Sequence, residues 1–467
     1  MNESIAEHAE IASPAWPLDA GPHGVREAIV SAPRLLRAPR TLEETGVPAV
    51  FVARLVMKSM LLHGKSTYAE LAERHRLSVG VLEDVTSFLV REHLVEISHR
   101  GATDLDVVLR LTDSGRIHAQ DELARCNYCG PVPVSFEAYT ASVHTNSVRH
   151  TRILQSEVRE VFCDVRIDTA LLDSAAASLN AGRPLMLYGP PGSGKTFIAE
   201  RLGKLLRSDV PVPYALYVGG EIIQLYDPLV HRDSPRADET PIPDRRWRLC
   251  RRPVVISGGE LTFEALDLQF DAHAGFYQAP PHLKANMGMY IVDDLGRQRV
   301  QPRELLNRWV MPLDRHIDLY TLRSGSRFTA PFDVWAVFSS NLDPSELGDD
   351  AFLRRLGSKL HVGALSLDDY RAVFEECCAA LGFGVTNKTL DYLLHELHFE
   401  SGKPFLACYP SDLLDMVCAS AQYRGSAYEV TEEGLLEAWE SYFGPIQSRS
   451  APVSWVAELP ARKRLAG

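Results

Sequence analysis

The run Gly189-Pro190-Pro191-Gly192-Ser193-Gly194-Lys195-Thr196 fills every position of the spacing GxxxxGK[ST]. It follows an apolar stretch, residues 184–188, that reads as a buried strand, and it opens a helical pattern over 196–206. In that context the residue types have a definite chemistry. Glycines let successive backbone N–H groups close around phosphate oxygens at a helix N-terminus, where the helix dipole favours negative charge. Lys195 is expected to reach the β and γ phosphates of ATP, and the Thr196 hydroxyl to ligate Mg2+. A second apolar run, 289–292, ends in Asp293 and Asp294, so that a buried strand carries two carboxylates on its C-terminal tip. Asp293 is expected to hold the Mg2+ through water, and Asp294 to orient or deprotonate the attacking water.

Such a site needs a sheet that brings two strand tips together. From about 161 to 364 apolar runs alternate with helical patterns, the order of an α/β fold with a parallel sheet. Residues 318–333 read as a hairpin around Gly325, just before another apolar strand at 334–338. Residues 365–445 hold only helical patterns, at 368–381, 389–397, 411–422 and 431–442, and form a helical lid; 446–467 is a tail with a short basic end. The stretch 227–281 is longer than a simple strand–helix–strand link and starts loop-like, and long loops inside a domain tend to be functional. Its aromatics Phe263, Phe270, Phe276 and Tyr277 suit local packing better than the lining of a pore.

Ahead of the α/β region, residues 1–45 read as a partly ordered leader and 46–130 as a compact unit. Helices are expected at 50–62, from an N-cap at Ser66, and at 79–93; strands at 94–98 and 106–112 flank a turn containing Gly101. Three helices and a hairpin make a winged helix-turn-helix. Its third helix offers Glu83, Asp84, Thr86 and Ser87 with Arg91 as sole cation, which favours a protein-binding role over DNA. Residues 131–160, with Pro131 and Pro133, read as a linker that ends in a helix near 156–159. The 467-residue length suits about three folded units, and a net charge of -12 argues against sequence-blind nucleic-acid binding. No stretch approaches the roughly 20 apolar residues of a membrane helix, and the acidic N-terminus is unlike a secretory signal, so a cytoplasmic location is expected. Eight scattered cysteines suggest free thiols, and Cys126 and Cys129 lack a second pair with which to hold zinc.

Over roughly residues 156–444 the chain resembles the AAA+ ATPases. The resemblance implies that Ser339-Ser340-Asn341 is a sensor 1 whose Asn341 helps place the hydrolytic water. It implies that Arg354 and Arg355, within the segment 351–355, supply an arginine finger to a neighbouring subunit, hence a homo-oligomeric, hexameric ring. The hairpin and Lys284-Ala285-Asn286-Met287-Gly288 are similar to features of the pre-sensor-1 hairpin branch, which contains MoxR-type ATPases, magnesium-chelatase subunits and enhancer-binding activators. Three departures stand out. Asp294 replaces the family's usual glutamate, Tyr409-Pro410-Ser411-Asp412 occupies the place where sensor 2 often brings an arginine, and the winged helix precedes the core. The implied activity is Mg-ATP hydrolysis that remodels a protein client recruited by the winged helix. The alternative is an ATP-controlled switch with slow turnover whose winged helix engages DNA or protein.

Overall fold

The computed structural model describes residues 36–100, 107–235, 242–347 and 353–445. The expected leader up to 35, the Gly101 turn, the loop at 236–241, Ala351 and Phe352, and the basic tail lie outside the described residues.

The first elements are α1 (Ala49–His63), β1 (Ser66–Thr67), α2 (Tyr68–His75), α3 (Val79–Arg91), β2 (Val95–His99), β3 (Val108–Leu111) and α4 (Asp113–Arg125). The three strands form an antiparallel sheet in the order β1-β3-β2. Ser66, expected as the cap of α2, is instead paired with Leu109, and the cap moves to Thr67. There the Thr67 hydroxyl accepts from Glu70 N and the Glu70 carboxylate accepts from Thr67 N, satisfying two end groups reciprocally. Val52, Leu55, Val56, Leu82, Val85 and Leu89 are buried together, as helical spacing on α1 and α3 requires. Thr86 is buried as well, its hydroxyl 2.8 Å from the Tyr68 hydroxyl, so it presents nothing to a groove.

The expected linker is packed structure. β4 (Val134–Ser135), α5 (Phe136–Thr145) and α6 (Gln155–Val161) lie within it, and Val134, Tyr139 and Val143 are buried in one core with later strands. Then follow α7 (Thr169–Asn180), β5 (Leu185–Tyr188), α8 (Lys195–Gly203), β6 (Asp209–Pro213), β7 (Ala215–Val218), β8 (Glu221–Gln224), β9 (Trp247–Arg251), β10 (Val254–Ser257), β11 (Gln269–Asp271), β12 (Phe276–Gln278), α9 (Pro281–Lys284) and β13 (Gly288–Val292). The segment 227–281, expected to be a long link with a loop-like start, thus contains the strands β9 to β12. A five-stranded mixed sheet runs β11-β12-β8-β7-β4, and β6 pairs with β9. Phe276 and Tyr277 are buried and Phe270 packs on Tyr277, while Phe263 is 40% exposed.

The chain continues through α10 (Pro302–Arg315), β14 (Ile317–Thr321), β15 (Arg327–Pro331), β16 (Val334–Ser340), α11 (Pro344–Leu347) and β17 (Ser358–His361). β14 and β15 form an antiparallel hairpin whose turn holds Gly325 at φ +83°. A five-stranded parallel sheet runs β10-β13-β16-β5-β17. Both of its faces are covered, which is why its strands read as continuous apolar runs rather than alternating ones. Leu185, Leu187, Met289, Ile291, Trp335 and Val337 pack with α7 and α8, whereas Met186, Tyr290, Val292, Ala336 and Phe338 pack with α10. The fold is therefore α/β, with a C-terminal helical lid of α12 (Leu367–Ala380), α13 (Asn387–Asp391), α14 (Tyr409–Arg424) and α15 (Glu432–Phe443). After α13 the helix widens into a π-turn, Tyr392–His398, which seats His398 against Tyr370.

Candidate functional site

β5 ends in the Gly189–Thr196 loop, and each of its glycines has a separate reason to be there. Gly189, at φ +146°, would place a Cβ 2.2 Å from the Val362 carbonyl oxygen. Gly192, at φ +82°, would place one 2.4 Å from Cys408 Sγ of the lid. Gly194, at φ +91°, is the N-cap of α8 and has no comparable clash, so only its backbone conformation demands glycine. The Ser193 hydroxyl is buried without a hydrogen-bond partner among the described residues, an orphan polar group within the loop.

The tips of β5, β13 and β16 converge. Lys195 Nζ donates to the carbonyls of Gly189 (3.1 Å) and Pro190 (2.8 Å) and to Asn341 Oδ1 (2.8 Å). The other end of the same amide, Asn341 Nδ2, donates to Asp294 Oδ1 at 2.9 Å. Asn341 is thus a bridge between a cation and a carboxylate. Thr196 Oγ1 lies 2.9 Å from both carboxylate oxygens of Asp293 and donates to that carboxylate. Burial lowers the Lys195 pKa from its ordinary value, against the opposing pull of Asp294 and Asp293.

Asp294 has φ +50°, the left-handed region that asparagine and aspartate enter most readily among side-chain-bearing residues. The turn is fixed on both sides: Asp293 N donates to Ser257 O, Leu295 N donates to Ser339 O, and buried Gln298 donates to Asp293 O. The shorter acid at this position therefore has a backbone explanation.

Gly192, Ser193, Gly194, Lys195, Thr196, Asp294 and Asn341 border a cavity of about 960 Å3 between the parallel sheet and the lid. The structure adds three contributors that motif spacing did not single out. Arg297 Nη1 stands 4.0 Å from Asp294 Oδ2, and its i,i+3 spacing from that aspartate was the available signal. Arg166 is ion-paired with Glu376 of α12 at 2.9 Å, joining the segment before α7 to the lid across the cavity wall. Cys408 N donates to Gly192 O at 3.1 Å. No spacing rule would have found the last two, because each depends on how the lid folds back.

Tyr409, Pro410, Ser411 and Asp412 start α14 and bring no cation to the cavity, whose wall on this side includes Ala407 and Cys408. Arg354 and Arg355 are not among the cavity-lining residues of their own chain. Arg355 is half-buried and its Nε donates to Asp314 at 2.8 and 2.9 Å, whereas Arg354 is exposed and makes no ion pair among the described residues. Cys126 and Cys129 are free thiols, and among the described residues no group of three or more His, Cys, Asp or Glu is placed to hold a metal ion.

The strand order with the glycine cradle at the tip of β5, two carboxylates at the tip of β13 and a polar residue after β16 decides the architecture. The chain has a P-loop α/β fold with a helical lid after the sheet. A family described as "Domain of unknown function (DUF8689)" matches residues 366–441, most of the helical lid. No curated protein matches the chain. Among solved structures, NtrX from Brucella abortus in complex with ATP is 14% identical, with 62% of this chain and 62% of that chain covered and a TM-score of 0.38. The same protein in complex with ADP is 14% identical, covering 65% and 62%, with a TM-score of 0.39. The RuvB Holliday junction branch migration motor of Thermotoga maritima is 13% identical, covering 63% and 72%, with a TM-score of 0.32. The chain thus spans a little over three-fifths of the length of the NtrX structures it matches.

Proposed function

We propose that this chain is an ATP hydrolase working as a homo-oligomeric ring, and that it uses Mg-ATP to remodel a protein client. The observation that carries the reading is the linked pair of contacts Lys195–Asn341–Asp294 and Thr196–Asp293, which gathers a phosphate-binding cation, a polar sensor and two carboxylates around one cradle. The residues fit a triphosphate: the buried Ser193 hydroxyl has no hydrogen-bond partner among the described residues, and side chains at Gly189 or Gly192 would collide with Val362 and Cys408 beside the loop. They also fit Mg2+, which is commonly held by one or two protein oxygens plus substrate phosphates and waters. Thr196 and Asp293 would hold it, and when bound it neutralises charge developing on the transferred phosphoryl group.

Lys195 is positioned to exchange its carbonyl acceptors for the β and γ phosphates. Asn341 keeps the Asp294 carboxylate aimed toward the cavity, where Asp294 accepts the proton of the attacking water. Exposed Arg354 serves as the finger to the neighbouring subunit, while Arg355 anchors its segment through Asp314. The β14–β15 hairpin supports placement in the pre-sensor-1 hairpin branch. The unit formed by α1 to α4 is read as a winged helix that recruits protein, since α3 turns Thr86 inward and exposes Asp84, Ser87 and Arg91.

The test is ATP turnover by the full chain. Lys195→Ala should abolish nucleotide binding, and Asp294→Asn should bind ATP without hydrolysing it. Specific activity should rise with protein concentration, and adding inactive Lys195→Ala chains should alter the rate of wild-type chains by occupying ring positions. Hydrolysis by Asp294→Asn at the wild-type rate would refute the base assignment, and activity strictly proportional to concentration would refute the ring.

A further inference from the structure

A second cavity, of about 470 Å3, lies where α1 and the end of α4 meet the β7–β8 turn and the tip of the β14–β15 hairpin. Its walls carry four cations, Arg54, Lys58, Arg125 and Arg323, against two carboxylates, Glu122 and Glu221. The carboxylates do not balance the cations. Glu122 is shared by Arg54 at 3.6 Å and Arg125 at 3.2 Å, and Glu221 makes no ion pair among the described residues. Lys58 is only 5% exposed, yet its Nζ has one neutral acceptor, the Cys126 carbonyl at 2.8 Å, and no carboxylate within ion-pair distance among the described residues.

A buried ammonium is costly unless an anion accompanies it. Arg323 enters from the opposite wall in a fixed pose. Its guanidinium lies 4.1 Å from the centre of the Phe270 ring, and its backbone N donates to the Tyr277 hydroxyl at 2.6 Å. Phe51 and Phe270 supply apolar wall beside the charges. The volume falls within the roughly 300–1,000 Å3 typical of small-molecule sites and exceeds what a bare inorganic anion would fill.

We propose that this cavity binds a small molecule through a compact dianionic head group, a phosphate or a dicarboxylate, with Lys58 and Arg323 as its counter-charges and the aromatic wall against the remainder. Because Lys58 belongs to α1 and Arg323 to the hairpin tip, the ligand ties the N-terminal unit to the hairpin that leads into β16. The site is separate from the phosphate cradle and does not depend on ATP hydrolysis.

The experiment uses the full chain carrying Lys195→Ala, so that the cradle competes less for anions. Inorganic phosphate and malonate are titrated separately at constant ionic strength, with binding heat and the thermal midpoint as readouts. At least one anion should bind saturably and raise the midpoint, with apparent affinity reduced tenfold or more by Lys58→Met and by Arg323→Ala. The ratio of the two affinities identifies the head group. Arg323 is exposed at a hairpin tip, so its variant reports even where Lys58→Met does not fold. Absence of saturable binding by both anions, or binding unchanged in Arg323→Ala, overturns the proposal.

Discussion

Asp294→Glu adds one methylene at a backbone position held at φ +50° by hydrogen bonds on either side. The left-handed region costs an ordinary L-residue about 1–2 kcal/mol, and aspartate offsets part of that by local hydrogen bonding that glutamate is too long to copy. The Asp294 carboxylate also accepts from Asn341 Nδ2 at 2.9 Å, and hydrogen bonds to charged groups contribute about 1.5–3 kcal/mol. Allowing about 1 kcal/mol for added strain and about 1.5 for the weakened bond, the variant should lose roughly 2–3 kcal/mol of local stability. Each kcal/mol lowers the midpoint of a 150–250-residue domain by about 2–4 °C. On the proposed mechanism turnover should fall as well. The carboxylate moves by one carbon–carbon bond, about 1.5 Å, and a misplacement of about 1 Å can cost on the order of 100-fold. Thermal unfolding and steady-state ATP hydrolysis of wild type, Asp294→Glu, Asp294→Asn and Asp294→Gly would measure both effects. Asparagine, at home in the same backbone region, should keep the midpoint and lose turnover, and glycine should relieve the strain. A glutamate variant that is equally stable and hydrolyses faster would refute the argument that the backbone selects aspartate.

Arg354→Ala should abolish cooperative turnover without changing the midpoint, whereas Arg355→Ala removes a partly exposed ion pair with Asp314 and should cost no more than about 1 kcal/mol; side-by-side activity and unfolding curves separate them. Gly192→Ala should push Cys408 off the loop and weaken nucleotide binding, and Cys408→Gly should relieve the clash but not the strain of φ +82°, giving partial recovery in a binding titration. Burial lowers the pKa of His75 to about 4 and of His398 to about 3, even though the carbonyls of Gly130 and Lys403 pull the other way. In the unfolded chain these rings take up protons below about pH 6.5, so the unfolded state binds more protons and stability falls as pH drops from 6.5 toward 4. Midpoints measured across that range should decline, and NMR should show both rings still neutral at pH 5.

Elements specified by local spacing were legible in the sequence. The phosphate loop, the carboxylate pair, the hairpin around Gly325 and the lid helices follow from patterns a few residues long, and each structural counterpart begins within a few residues of its expected place. Elements specified by distant partners were not. β4 is two residues long and becomes a strand only because Val134 pairs with Leu216, so 131–160 looks like a linker until that sheet is formed. β1 is equally short and drew Ser66 away from the cap position. The same division runs through the site. Lys195, Thr196, Asp293 and Asp294 are marked by sequence, while Cys408 and the Arg166–Glu376 pair reach the cavity only through the folding of the lid. Composition named an aspartate where the resemblance implies a glutamate, but the reason lies in a backbone angle that no residue count carries.

The packing of 131–160 bears on how the N-terminal unit could influence the cradle. Asp333, the residue before β16, is buried and accepts two hydrogen bonds from that segment, from Ser147 Oγ at 2.7 Å and Val148 N at 2.9 Å, and is ion-paired with Arg149 Nε at 3.6 Å. Its own N donates to Asn286 Oδ1 and its carbonyl accepts from Met287 N, which fixes the start of β13 to the start of β16. Seven residues after β16 begins, the same strand has delivered Asn341 to Lys195 and Asp294. On the other side, Arg246 clasps Asp244 and donates to the carbonyls of Thr45 and Pro133, clamping the inserted strands to the chain before α1. Breaking a buried carboxylate's partners leaves unsatisfied groups that cost more than the bonds contribute, so these anchors hold as units rather than stretch. On the proposed function, a client pulling on the N-terminal unit would load the base of the strand that delivers Asn341, and the parallel ladder between β13 and β16 would pass any shift to both sides of the site together.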